Sequence, residues 1–147
     1  MMLIRNRHRS FAVISAAILI FVHGSKACAS PCDGVDRRLS RESKIDLASA
    51  IAKQLKAQLR DVSKVKLLQS FRFSGWSIVY VETHVSDEGF LFYAGDPQSN
   101  HYVTLWAGAA TIFEEHEVEG WTLKNAPGIP PRLATCFAWH VTHDRDE

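Results

Sequence analysis

Two cysteines, Cys32 and Cys136, stand near opposite ends of the chain, and a bond between them would tie together everything that lies in between. The case for that bond begins at the N-terminus. A basic stretch, Met1 to Ser10, precedes an uncharged apolar run from Phe11 to Val22, and a short polar region closes on Ala27-Cys28-Ala29. A basic start, an apolar centre and an A-x-A end are the three parts of a secretory leader. As a helix the apolar run spans about 18 Å, well short of a bilayer core of roughly 30 Å. Residues 1–29 are therefore expected to be a cleaved signal peptide, with Ser30 as the mature start and residues 30–147 as one domain. The same reading predicts no stable membrane span and a periplasmic or secreted product. Lipoprotein processing at Cys28 is disfavoured, because Ser25-Lys26-Ala27 places a Lys where such sites want apolar residues.

Cys28 leaves with the leader. An even pair of sulfurs in an oxidising compartment favours one disulfide, Cys32–Cys136. Closing a loop of about 100 residues is worth roughly 4–5 kcal/mol by chain entropy. The competing reading makes Cys136 a nucleophile with His140 or His143 as its base. A reactive thiol must be unpaired and activated, and an available partner cysteine argues against that.

The charges look balanced, 17 Lys+Arg against 16 Asp+Glu. Four of the cations belong to the leader, however, and residues 30–147 keep 13 basic and 16 acidic side chains, a net of −3. This weighs against a nucleic-acid binder, which needs a basic footprint. The charge is also divided along the chain. Residues 30–72 carry a net of +5 and residues 73–147 a net of −8. The densest acidic segment, Glu114-Glu115-His116-Glu117-Val118-Glu119, is suited to meeting a basic partner.

The apolar pattern gives the coarse architecture. Apolar residues recur at Ile45, Ala48, Ile51, Ala52, Leu55, Leu59 and Val62, one face of a long helix, with Ser40 or Ser43 as its cap. Beyond Ser63 strands are expected at Val65–Phe73, Trp76–Val85, Phe90–Tyr93 and from Tyr102 to Trp106, the last running on toward Ile112 and Phe113. Glu114–Glu119 reads as an exposed acidic segment, and Trp121-Thr122-Leu123 as a brief pairing. After the Pro-rich loop, Arg132–Cys136 reads as one helical turn and Phe137–Thr142 as a final strand. The expected class is α+β, one long helix packed on a curved antiparallel sheet of about four to five strands. The strand half supplies Trp76, Tyr80, Phe90, Phe92, Tyr93, Tyr102, Trp106, Trp121 and Trp139. Most are expected in the core, but one helix covers one face of a sheet, so a surplus on the open face or in loops near Trp121 would form a binding patch.

No motif of known chemistry stands out. G-x-S-x-G, a phosphate loop and G-x-G-x-x-G are all missing from the sequence. His140, His143 and Asp144, and His116 among four glutamates, are ligand types without ligand spacing, so neither a metal nor another cofactor is expected. Glu82 and His84 lie two apart on an expected strand and so share a face, where a carboxylate and an imidazole can serve as general acid and base.

In its order of elements the chain resembles the cystatin-type roll, and in size and layout it is similar to small periplasmic inhibitors and immunity-type proteins. The resemblance implies a protein that docks on a protein partner. The residues expected to make that contact are Trp76, Glu114, His116, Glu117 and Trp121. The alternatives are a small secreted enzyme using Glu82 and His84 on a cell-wall or small substrate, and a small-ligand carrier with an apolar cavity between helix and sheet.

Overall fold

The computed structural model describes residues 29–56 and 64–144. The expected leader, apart from Ala29, and the expected end of the first helix at Leu59 and Val62 lie outside the described residues. Helix α1 (Arg41–Lys56) is followed by four strands, β1 (Lys66–Phe73), β2 (Trp76–Glu82), β3 (Gly89–Ala94) and β4 (Thr104–Trp106). A short helical turn (Ile112–Glu114) then leads into α2 (Glu115–Asn125) and α3 (Pro131–His143). The strands form one open antiparallel sheet in the order β1-β2-β3-β4. The class is α+β, as expected.

Local chemistry accounts for the hairpins. Ser74 and Gly75 adopt φ of 46° and 78°, so the two-residue β1–β2 turn has the positive dihedrals that match strand twist. β1 carries a bulge between Leu67 and Gln69. Side chains then alternate across the sheet. Phe71, Ile78, Tyr80, Phe90 and Phe92 face one side. Leu67, Val79, Val81, Leu91 and Tyr93 face the other.

Both sides are covered, which corrects the expectation of one helix and one open face. α1 lays Leu47, Ile51 and Leu55 on the second side. α3, with α2 beside it, closes the first side through Val118, Leu133, Ala134, Phe137, Ala138 and Val141. All four tryptophans pack against that core in a partly buried state, so they are structural mass and not a surplus. Gln54 ties α1 to its neighbours: it donates to the carbonyls of Pro97 (2.8 Å) and Asn100 (3.0 Å) and accepts from the Tyr93 hydroxyl (3.2 Å). Burial, and next the neighbouring Tyr102, raise the pKa of Tyr93, so this phenol stays a donor.

Three stretches differ from the sequence reading, the first being β4, which stops at Trp106 and does not run on toward Ile112 and Phe113. Trp121–Leu123 pairs with no strand among the described residues and, with the acidic segment Glu114–Glu119 before it, belongs to a helical turn and α2. Phe137–Thr142 is likewise helix, the body of α3. Pro131 opens α3 at its first position, where a missing N–H costs nothing. Leu133, Phe137 and Val141, joined by Ala134 and Ala138, then fall on one buried stripe. Cys136 on α3 is bonded to Cys32, with Cα atoms 4.6 Å apart. The staple therefore joins the N-terminal segment to a helix, and not to a strand. Nearby, Asp36 pairs with Arg72 of β1 as an isolated bridge. No helix among the described residues is long and apolar enough to cross a membrane.

Candidate functional site

The acidic segment is built around a fixed turn. Glu114 folds back on Thr111: its Oε2 accepts the Thr111 N–H at 2.7 Å and the Thr111 hydroxyl at 2.8 Å. The Thr111 carbonyl accepts the Glu114 N–H at 3.0 Å. The backbone hydrogen bond from Thr111, then the hydroxyl bond, hold the Glu114 carboxyl below the usual range against a smaller desolvation effect. This reciprocal closure pins the turn between them. It presents Ile112 at 56% and Phe113 at 89% exposure. Phe113 is the most exposed large apolar side chain among the described residues.

The sequence reading missed Phe113, because it treated residues 102–113 as one continuing strand. The signal that could have found it was the capping spacing Thr111-x-x-Glu114, which starts a helix rather than prolonging a strand.

The other acids divide into structural and exposed groups. Glu119 accepts the Thr135 hydroxyl at 2.6 Å and so joins α2 to α3. Glu115 lies 3.6 Å from His143 Nδ1, and the His143 ring stacks on Trp139. His116 and Glu117 are exposed. Trp121 is half-buried, edge-on to Phe92. Glu114, Glu117 and Trp121 together line a shallow cleft of about 290 Å³ beside Trp106 and Val118. Of the five expected contact residues, the structure brings these three together, with His116 on the same helix. Trp76 sits elsewhere, at the start of β2, where it lines a different cleft beside α1.

The turn gives a pH test. Glu114 has a lowered pKa in the folded chain, so its contribution is present above the unfolded value and is lost as pH falls through the folded one. The Phe113 ring resonances should therefore shift in a transition below the ordinary glutamate range. Glu114→Gln should abolish that transition, and a transition that persists in the variant would refute the assignment.

Glu82 and His84 do meet. His84 Nδ1 lies 2.8 Å from Glu82 Oε1, and Lys66 Nζ lies 3.0 Å from Oε2 of the same carboxylate. β2 ends at Glu82, short of the expected Val85, and His84 has φ of 61°. The pair lines an open polar depression of about 560 Å³ with Ser86, Asp87 and Glu88, and the Tyr80 hydroxyl donates to Glu88. The Ser86 hydroxyl bonds Thr83 and the Asp87 carbonyl. Glu82 holds the His84 ring in place, and among the described residues no hydroxyl is bonded to that ring.

The reading of Cys136 as nucleophile is overturned, since its sulfur is in the disulfide and the residue is fully buried. His140 is buried as well, between the rings of Phe71 and Phe90, with Nδ1 3.5 Å from Asp144. Among the described residues no group of three or more His, Cys, Asp and Glu side chains could hold a metal ion. No protein-family model matches the chain, and neither a curated protein nor a solved structure matches it.

Proposed function

We propose that the chain is an exported binding protein that docks on a protein partner, in the manner of an inhibitor or immunity-type protein, with Phe113 as the anchor. The observation that carries this reading is the 89% exposure of Phe113 on a turn held by Glu114 and Thr111. Exposing a phenylalanine to water is unfavourable, and holding it still removes the entropic reason for leaving it there. Interfaces concentrate their energy in such aromatic anchors. The rim of Glu114, Glu115 and Glu117 is acidic, which selects a partner with an apolar pocket bordered by Lys and Arg. Export is supported by the leader-like N-terminus and by the Cys32–Cys136 bond.

The test is affinity measured against a partner captured from periplasmic extract. Phe113→Ala should weaken binding by about 30-fold or more, the size of a hot spot, with an unchanged circular dichroism spectrum. Glu117→Lys should slow association and flatten its salt dependence. Equal affinity of the wild type and Phe113→Ala for every captured protein would overturn the reading. An exported product whose intact mass begins at Met1 would overturn the leader.

A further inference from the structure

A cleft of about 520 Å³ separates the N-terminal half of α1 from the sheet. Its origin is a run of small polar side chains where the rest of that face is aliphatic. The register places Ser70 and Arg72 of β1 and Ser77 of β2 on the side that α1 covers. Val79, Val81 and Leu91 fill the same face further along beneath α1. Serines there leave a hollow that Leu47 and Ser43 of α1 roof but do not fill. The loop Asp96-Pro97-Gln98 closes the side.

The second observation is Ser70 itself. It is 2% exposed, and its Oγ has no hydrogen-bond partner among the described residues. A buried hydroxyl left unsatisfied is disfavoured, and native structures rarely keep one. Valine would fit the strand at this place, as it does at Val79 opposite. A hydroxyl kept at the floor of a cleft is explained by a molecule that completes its hydrogen bond.

The walls define that molecule. Arg72 Nη2 already donates to Asp36 Oδ2 (2.8 Å) and to the Arg38 carbonyl (2.9 Å). Asp96 Oδ1 accepts the Gln98 N–H within its own turn. The Arg72 charge is thus paired with Asp36, so an anionic ligand would find its counter-charge already committed, and the Asp96 carboxylate beside it would repel an anion further. Hydroxyl groups would find Ser70, the remaining acceptor capacity of Ser77, whose Oγ donates to the Gly95 carbonyl at 3.2 Å, and Ser43 at the rim. We infer that the cleft between α1 and the sheet binds a small neutral polyhydroxylated molecule, a mono- or disaccharide, through the buried hydroxyl of Ser70. The volume is in the range of ordinary small-ligand sites. This site is separate from the Phe113 turn and does not depend on it.

The experiment is an amide NMR titration of the full chain with D-glucose, N-acetyl-D-glucosamine and maltose, and with acetate and tetramethylammonium as charged controls. At least one sugar should shift the Ser70 and Ser77 amides saturably, and neither ion should. Ser70→Ala should weaken that sugar by about five- to tenfold, the worth of one hydrogen bond, while raising the thermal midpoint of the free protein. Phe113→Ala should leave the titration unchanged. Saturation by an ion in place of a sugar would overturn the inference, as would silence from all three sugars. Full affinity in Ser70→Ala would overturn it too.

Discussion

Replacing Cys32 and Cys136 together by alanine is expected to lower stability by about 4–5 kcal/mol, the value for releasing a loop of this length in the unfolded chain. The bridged residues are 104 apart in sequence, so the bond constrains nearly all of the described chain. Both sulfurs belong to the core on the α3 side of the sheet, so reduction also loosens a packed contact. A loss of that size is a large part of the 5–15 kcal/mol that holds an ordinary domain together. Denaturant midpoints of the wild type, with and without reductant, and of the double variant measure it. The slope should rise as well, because an unbridged denatured chain exposes more surface. Hydrogen exchange should locate the first consequence near Asp36, whose N–H and carbonyl pair with Arg72 at 2.9 Å each. That bridge attaches the N-terminal segment to β1, and without the bond it is helped mainly by exposed polar contacts, the Arg72–Asp36 and Arg37–Asp144 ion pairs and the Arg132 bond to the Asp33 carbonyl. Coincident midpoints for bridged and unbridged protein would show that the link carries no stability.

The parts of this architecture that were legible in the sequence share one property: their local signals agree with their tertiary setting. α1 has a clean stripe at steps of three and four, with a serine cap at Ser40 that accepts the Ser43 N–H. The β1–β2 hairpin is announced by Ser74-Gly75 between strand-like runs. β2 and β3 even signalled that both of their faces are apolar, in Ile78-Val79-Tyr80-Val81 and Phe90-Leu91-Phe92-Tyr93. That double pattern requires cover on two sides, and the expectation of a single helix conflicted with it. The missing cover was hidden in α2 and α3. Gly120 and a run of acids weaken the apolar period of α2, and Phe137-Ala138-Trp139-His140-Val141-Thr142 is rich in aromatic and β-branched residues. Such residues favour strands in isolation, but propensity is a weak prior that packing overrides. Leu133, Ala134, Phe137, Ala138 and Val141 carried the helical spacing all along. The candidate site was partly legible for the same reason. Acidic clustering picked out Glu114 and Glu117, whereas the exposure of Phe113 depends on where a turn ends a strand, a boundary that periodicity locates poorly.

Phe137 and Phe113 contrast a core ring with the proposed anchor on one side of the fold. Phe137 is fully buried, and three rings meet it edge-on: Phe90 at 5.1 Å, Phe92 at 4.9 Å and Trp106 at 5.6 Å between centroids. Phe137→Ala is therefore expected to cost about 3–5 kcal/mol, the range for emptying a buried phenylalanine site. Phe113→Ala should change stability by less than about 0.5 kcal/mol, as at an ordinary surface position, while removing the anchor of the proposed contact. The loss at Phe137 should also spread in a particular direction. Trp106 lies on β4, the shortest strand, held at one edge by its pairing with β3. Without the Phe137 ring beneath it, Trp106 loses an inner contact, so indole fluorescence should move to longer wavelength and the β4 amides should exchange sooner than those of β2. Phe137 follows the bridged Cys136 on the same helix, so the two losses should not add when they are combined in one chain. A Phe137→Ala protein as stable as the wild type would mean that α3 does not pack on the sheet as described.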